Sequence, residues 1–216
     1  MPSLMALAAA SASCGPAPAN LHDALQQLTQ VYCEAEFRCC SSAQAQAKSG
    51  VGDVSHCSMA VVPLVVQFGV AAQSAIDKGL YTYDGSAAAL CIDGIRGALS
   101  SCGGPAPRIA FDANPICISM LVGKLQPGAS CNAADFGGGC APGSYCALGT
   151  CKLEAKAGED CTSTACVPGQ VCLQSNKCGV PLDDGQPCTG GGQCKSSNCT
   201  ASACAPTGTV AQMLCN

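Results

Sequence analysis

The chain has 216 residues, a net charge of −4 and 21 cysteines. Its ten lysines and arginines are scattered singly, so we expect no nucleic-acid partner, because nucleic-acid-binding proteins carry a basic patch. Residues 131–216 hold 13 of the cysteines but only two aromatic residues, Phe136 and Tyr145. Such a segment cannot bury enough apolar surface to offset its conformational entropy, so it must rely on crosslinks.

The spacing of the cysteines favours disulfides over zinc. No two cysteines are separated by two residues, so the C-x-x-C pattern of zinc knuckles and redox motifs is missing. The two histidines, His22 and His56, lie far along the chain from the cysteine-rich part. We therefore predict disulfides, no metal and no cofactor, and a compartment outside the cytoplasm.

Residues 1–13 resemble a secretory signal, with a short apolar run and Ala10-Ser-Ala12 as a cleavage site. No lysine or arginine precedes the apolar run, which we attribute to a truncated or misassigned start. Cys14 follows and is our lipidation candidate, although Ser11 stands where a lipoprotein signal usually has leucine. The alternative is that Cys14 is removed with the signal or stays free. Both outcomes explain the odd cysteine count.

A first helix is predicted to begin after a linker at residues 14–19. Asn20 can cap it, and Asp23 places negative charge near its amino terminus. One amphipathic stripe follows at alternating spacings of four and three residues: Leu21, Leu25, Leu28, Tyr32, Ala35 and Cys39.

Residues 41–53 are small and polar, and they predict a loop. Residues 59–72 are almost continuously apolar, but the run is short for a membrane span and contains Pro63 and Gln67. We expect a buried helix, with Pro63 in its first turn and Gly79 as its carboxy-terminal cap.

A third helix is predicted to begin at Asp84, with Cys91, Ile95, Ala98 and Cys102 on one face. Antiparallel packing against the first helix could join Cys33 and Cys40 to Cys91 and Cys102. The proline-rich segment at residues 103–115 ends this helix, and a short strand is expected near residues 117–125.

Three similar modules follow. Each opens with the same phrase, Gly128-Ala-Ser-Cys131, Gly158-Glu-Asp-Cys161 or Gly185-Gln-Pro-Cys188, and each contains four cysteines. Four cysteines allow three pairings, and the sequence does not choose among them. Cys215 lies outside the modules, and we expect it to pair with the odd set of seven between Cys33 and Cys117.

The predicted fold is thus a small α-helical domain of about three disulfide-stapled helices at residues 20–118. It is followed at residues 119–216 by a projecting, disulfide-rich tail of loops and short β-hairpins in three four-cysteine repeats. The disulfide candidates are Cys33, Cys39, Cys40, Cys57, Cys91, Cys102, Cys117, Cys131, Cys140, Cys146, Cys151, Cys161, Cys166, Cys172, Cys178, Cys188, Cys194, Cys199, Cys204 and Cys215.

Three segments carry a resemblance: Tyr32-Cys-Glu-Ala-Glu-Phe-Arg-Cys-Cys40, Tyr83-Asp-Gly-Ser-Ala-Ala-Ala-Leu-Cys91, and residues 117–123 followed by Gly128-x-x-Cys131. This layout resembles cysteine-rich exported proteins and putative lipoproteins of myxobacterial type, over most of the chain after Cys14. The tail alone is similar to Dickkopf-type and EGF-like cysteine-rich modules. The resemblance implies a cell-surface or secreted protein and brings no catalytic residue.

We find no catalytic grouping in the sequence. His56 beside Cys57 has no third group to orient it, and a disulfide is the better interpretation of Cys57. Asp183-Asp184-Gly185 lacks the acidic spacing of a calcium loop and predicts a turn. Asn198-Cys-Thr200 is a formal glycosylation sequon around a cysteine that we expect to be bonded. The runs Gly137-Gly-Gly139 and Gly190-Gly-Gly192 predict backbone turns, not phosphate loops.

These observations predict a non-enzymatic protein, secreted or lipid-anchored at the cell envelope, that binds or displays through its disulfide-framed loops. The expected partner is a protein or a polysaccharide, and the membrane is contacted only through the possible lipid anchor. The alternative is a secreted disulfide-rich inhibitor or toxin-like effector, which would insert one exposed loop into its target.

Overall fold

The computed structural model describes residues 17–50, 52–106 and 115–215. Within these ranges, helices come first and short antiparallel strand pairs follow, as the sequence predicts. The signal-like segment at residues 1–13 and the lipidation candidate Cys14 lie outside the described residues.

The first helix, α1 (Leu21–Cys39), begins where it was predicted. The Asn20 side chain accepts a hydrogen bond from the Asp23 backbone N–H over 2.9 Å, which satisfies one of the free donors of the first turn. The predicted stripe faces the core: Leu21, Leu25 and Ala35 are buried, while Leu28, Tyr32 and Cys39 pack against them.

The prediction of a loop at residues 41–53 is wrong, because a second helix, α2 (Ser42–Ser49), occupies most of it. Ser41 and Gln44 form a capping box, in which each side chain bonds the other residue's backbone N–H. This Ser-x-x-Gln arrangement starts a helix even in a polar segment, and it is visible in the sequence.

The buried helix predicted around residues 59–72 corresponds to α3 (Val54–Asp77), which begins earlier than predicted. Asp53 caps it through a 3.0 Å hydrogen bond from the His56 N–H, so Pro63 lies in the helix interior, and its predicted place in the first turn is wrong. The carboxy-terminal cap is confirmed. Gly79 has a φ of 75°, and its N–H and that of Leu80 bond the carbonyls of Ile76 and Ala75, the pattern of a Schellman motif.

Near its end, α3 buries one face only. Ala72 and Ala75 are buried, whereas Val70 is 64% exposed. The predicted burial of the side chains at residues 59–68 lies outside the described residues. No helix in the described ranges has the length and apolar character needed to cross a membrane.

After α3 come a strand, β1 (Tyr81–Tyr83), and a fourth helix, α4 (Gly85–Ala98). This helix is capped by Asp84, the residue at which its start was predicted. The predicted inner face of this helix is partly wrong. Ala98 is exposed and Cys102 lies beyond the helix end, while Ile92 and Leu99 are buried beside Cys91 and Ile95. The buried stripe therefore follows Ala88, Ile92, Ile95 and Leu99, one helical turn apart.

A short helix, α5 (Pro115–Ile118), precedes the expected strand, β2 (Leu121–Gly123). This strand pairs antiparallel with β1, with Thr82 opposite Val122. The pair joins the helical half to the first module.

Four disulfides hold the helical half, and the pairing suggested from the sequence is wrong. Cys33 bonds Cys57, Cys39 bonds Cys102, Cys40 bonds Cys215 and Cys91 bonds Cys117. Neither Cys33 nor Cys40 is bonded to a cysteine suggested for it. Cys33 is bonded to Cys57 because α3 packs along α1, and Cys40 lies beyond the last residue of α1. The expectation that Cys215 completes this set is confirmed.

Each module contributes one hairpin. The pairs are β3 (Ser144–Ala147) with β4 (Thr150–Leu153), β5 (Val171–Cys172) with β6 (Cys178–Gly179), and β7 (Cys199–Thr200) with β8 (Ala203–Cys204). In all three modules the first cysteine bonds the third and the second bonds the fourth.

The chain then returns to the helical half. Pro105 pairs with Thr209, and a last helix, α6 (Val210–Cys215), places Val210 and Leu214 in the core beside α1. Because Cys215 is bonded to Cys40, the segment that contains the three modules is attached to the helical half at both ends.

Removal of the Cys40–Cys215 disulfide should loosen α6. A six-residue helix is not stable by itself, so without the crosslink it depends on the packing of Val210 and Leu214 and on the hydrogen bonds that its first residues make to residues 102–104. We expect Cys40→Ala/Cys215→Ala to lower the free energy of unfolding by about 2–4 kcal/mol. Hydrogen exchange should show lost protection of the amides of residues 210–215.

The matched control is Cys188→Ala/Cys199→Ala, which opens a disulfide inside the third module. That variant should leave the α6 amides protected. Unchanged protection of α6 in the Cys40→Ala/Cys215→Ala protein would contradict the role assigned to this bond.

Candidate functional site

The repeated Gly-x-x-Cys phrase forms the same turn at the head of every module. Gly128, Gly158 and Gly185 have φ values of 90°, 79° and 83°, a region that favours glycine. Each of these glycine N–H groups donates to the carbonyl of the fourth cysteine of its own module, over 2.8, 2.8 and 2.7 Å. The Gly-x-x-Cys motif therefore has a structural role, because its hydrogen bond joins the start of each module to its end.

Two crossed disulfides then clamp each hairpin. In the first module Cys146 and Cys151 lie opposite each other on β3 and β4 but are not bonded to each other. Instead, Cys146 is bonded to Cys131 and Cys151 to Cys140, both in the loop that precedes the hairpin. Because both strands are crosslinked to this loop, the hairpin tip has a fixed position.

The tip of the first hairpin carries an exposed leucine in an unfavourable conformation. Leu148 and Gly149 form the two-residue connection between β3 and β4, with φ values of 52° and 79°. Two positive φ values are typical of a type I′ turn, which prefers Asn-Gly. Leu148 is nevertheless a leucine, and it is 96% exposed.

Two further large apolar side chains are exposed at equivalent positions. Leu153 and Val180 each lie two residues after the fourth cysteine of their module, and they are 66% and 73% exposed. The module frame thus presents apolar side chains to solvent at a repeated position as well as at the first hairpin tip.

The first module is anchored to the helical half through Tyr81. Its hydroxyl donates to the Phe136 carbonyl over 2.7 Å and accepts from the Gly139 N–H over 3.0 Å. Burial raises the pKa of Tyr81, which further favours the protonated hydroxyl that donates. Nearby, the Lys78 ammonium lies 2.5 Å from Asp135 and lowers the pKa of that carboxyl.

Hydrogen bonds between side chain and backbone join neighbouring modules. The Tyr145 hydroxyl of the first module donates to the Ser163 carbonyl of the second over 3.3 Å. The Gln193 amide of the third module donates to the Cys172 carbonyl of the second over 3.2 Å.

The pKa values of two acidic side chains in the modules are shifted in opposite directions. Hydrogen bonds from Thr162 lower the pKa of Asp160, which lies 4.0 Å from the Lys177 ammonium. Burial raises the pKa of Glu154, and its Oε2 atom is buried without a hydrogen-bond partner in the described part of the chain.

The histidine positions do not form a nucleophilic site. Cys57 is fully buried and, as predicted, it is in a disulfide, so it carries no thiol; its partner is Cys33, for which the sequence suggested a different partner. His56 faces the Asp53 carboxylate over 2.7 Å at the start of α3, and His22 lies 3.0 Å from the Gln26 amide on α1.

The other motifs singled out in the sequence are structural. Asp183-Asp184-Gly185 is a turn, as predicted, and Lys195 lies 2.6 Å from Asp183. Asn198 and Thr200 are exposed and hydrogen-bonded to each other, with Cys199 between them in a disulfide.

The first glycine run is the backbone turn that the sequence predicts, with φ values of 84°, 92° and 71° at residues 137–139. Gly138 lies so close to Cys146 that an added Cβ atom would stand 2.6 Å from the Cys146 Cβ. In the second run, residues 191–193 form one 3₁₀ turn.

Sulfur atoms are closely grouped in every module. The Sγ atoms of the first, second and fourth cysteines lie within 4.8 Å of one another. Such a group has the residue type of a thiolate metal site, but each of these sulfurs is already bonded to another sulfur. The arrangement therefore supports crosslinking in place of metal ligation.

Leu148 is not among the residues predicted from the sequence, although the sequence contains a signal for it. A Leu-Gly pair between Ala147 and Thr150 sits midway between the third and fourth cysteines of its module, where a two-residue hairpin turn fits. A leucine in place of the preferred asparagine marks this position as unusual.

Comparison with known proteins identifies no relative. No protein-family model, no curated protein and no solved structure matches the chain.

The buried Oε2 atom of Glu154, which has no hydrogen-bond partner among the described residues, should make stability depend on pH. Burial raises the pKa of Glu154 in the folded protein. The protonated carboxyl therefore contributes favourably to the free energy of unfolding at low pH, and this contribution is lost as the pH rises through the folded-state pKa. Glu154→Gln should therefore raise the melting temperature at pH 7, and the gain should disappear below about pH 4, where unfolded carboxyls are also protonated.

Asp184→Asn controls for the change in net charge, since it removes an exposed carboxylate from a turn. Melting curves between pH 3 and pH 8 provide the measurement. A gain for Glu154→Gln that is equal at all pH values, or equal to that of Asp184→Asn, would refute the burial explanation.

Proposed function

We propose that this protein is exported and acts by non-enzymatic binding or display at the cell surface or envelope, either secreted or held there by a lipid on Cys14. The ten disulfides of the described residues support the location, because such bonds form and persist in oxidising compartments outside the cytoplasm. The modules supply the binding loops, and the helical half supplies the base.

Leu148 is the observation that carries the proposal. A non-glycine residue with positive φ costs of the order of 1 kcal/mol or more, and asparagine would reduce this cost at the same position. An exposed leucine here gains nothing from burial in the folded protein. A residue that opposes folding at the tip of a rigid loop is accounted for if it makes contacts with a partner.

The frame around Leu148 suits recognition. Loops that are already held in place lose little conformational entropy on binding. The crossed disulfides of β3 and β4 provide this rigidity, and Tyr81 fixes the first module on the helical half.

The partner we propose is a protein or a polysaccharide. The net charge of −4 argues against a polyanion such as nucleic acid. Apolar side chains at Leu148, Leu153 and Val180 favour contact with apolar patches of a protein or with the apolar faces of sugar rings.

The same tip also supports the second candidate, a secreted inhibitor or toxin-like effector. An exposed leucine at the tip of a crosslinked hairpin could insert into an apolar pocket of a target protein. Screening the protein against a panel of proteases separates this candidate from surface binding.

Substitution of Leu148 should raise stability and reduce binding together. Leu148→Asn gives the turn its preferred Asn-Gly pair, so we expect the free energy of unfolding to rise by about 1 kcal/mol. Binding to intact envelopes and to purified surface polysaccharide should weaken at least severalfold, because the apolar contact is lost. Denaturant titration and a surface-binding assay measure the two effects.

Leu90→Asn is the matched control, because Leu90 is 64% exposed but lies on α4. It should leave binding unchanged. The proposal fails if the unaltered protein binds neither probe and turns over a substrate, or if both variants reduce binding equally.

A further inference from the structure

One disulfide contains a cysteine that is more exposed than the other cysteines of the described residues. Cys172, on β5 of the second module, is the only exposed cysteine among those the structure describes. Its partner Cys161 is only 8% exposed. The equivalent cysteines of the first and third modules, Cys146 and Cys199, are half-buried.

The length of a loop explains part of this difference. In the first module eight residues separate the first two cysteines, and the backbone of Gly138 in that loop lies directly against Cys146. In the second module only four residues separate Cys161 from Cys166. The second module therefore has no counterpart of the Gly138 contact that covers Cys146.

A second disulfide lies within reach of the first. The Sγ atoms of Cys161, Cys166 and Cys178 lie within 4.8 Å of one another, and Cys166 is bonded to Cys178. If Cys161 is released as a thiolate, it is therefore next to another bond that a thiolate can attack.

We propose that the second module is a thiol–disulfide exchange site, in which the Cys172 Sγ atom is attacked and the Cys161 thiolate is the leaving group. A thiolate, on a small thiol or a protein, forms a bond to Cys172 Sγ. The Cys161–Cys172 bond breaks, and its electron pair leaves on Cys161 Sγ. One disulfide is consumed and one is formed, so no separate oxidant or reductant is required.

The released Cys161 thiolate continues the exchange inside the module. It bonds to Cys166 or Cys178, the Cys166–Cys178 bond breaks, and the remaining cysteine becomes the thiolate. Attack at Cys172 is favoured over the other cysteines because exchange rates depend on access to the sulfur. The product is a protein carrying a reversible mixed disulfide on Cys172. This site goes beyond the proposed binding role, and it holds or fails without it.

The test uses the unaltered oxidised protein and a limiting amount of reduced glutathione at pH 8. The reaction is quenched at intervals with an alkylating agent, and the peptides are mapped by mass spectrometry. We expect glutathione on Cys172 at least about tenfold faster than at any other cysteine. Alkylation should appear on Cys161 and on Cys166 or Cys178 before it appears in the first or third module.

Two double variants sharpen the test. Cys161→Ala/Cys172→Ala should abolish the fast glutathione uptake, whereas Cys188→Ala/Cys199→Ala, which removes the equivalent bond of the third module, should retain it. Uniform modification of all modules in the unaltered protein, or first modification elsewhere, would overturn the proposal without any variant. Alkylation confined to Cys161 would overturn the internal exchange step.

Discussion

The crossed pair of disulfides in each module is the constraint on which the rest of the structure depends. The second module has a buried cluster of Ala155, Cys161 and Cys178, and that of the third consists of Cys188, Cys194 and Cys204. These modules therefore have no aliphatic core that would survive loss of the crosslinks. Their loops are ordered because the bonds restrict the unfolded chain, not because apolar surface is buried.

The helical half differs from the modules because it has an aliphatic core in addition to its disulfides. Its core contains aliphatic side chains from α1 and α4, and the chain contributes Val210 and Leu214 to it after passing through all three modules. Together, the Cys40–Cys215 bond and the β1–β2 pair hold both ends of the modular segment. This attachment gives the Leu148 tip a fixed base, as the proposed binding role requires.

Much of the fold could be predicted from the sequence because it rests on local signals. Asn20 and Asp84 as caps, Gly79 as a helix end, and the three-module repeat all depend on nearby residues. The disulfide pairing of the helical half could not be predicted, since it depends on how α3 lies along α1, which is a tertiary property. Leu148 and Cys172 were missed as candidate sites because exposure of a side chain is set by the surrounding loops, not by its own position in a pattern.

The fixed hairpin tips and the proposed exchange site both depend on the pairing of the first cysteine with the third, and of the second with the fourth, in each module. That pairing makes the hairpin tips rigid and places Cys161 beside the Cys166–Cys178 bond. Digestion of the unreduced protein followed by mass spectrometry measures it directly. The expected crosslinked peptides join Cys131 to Cys146, Cys161 to Cys172 and Cys188 to Cys199. Peptides that join the first cysteine of a module to its second or fourth, or free thiols at these positions, would contradict the account.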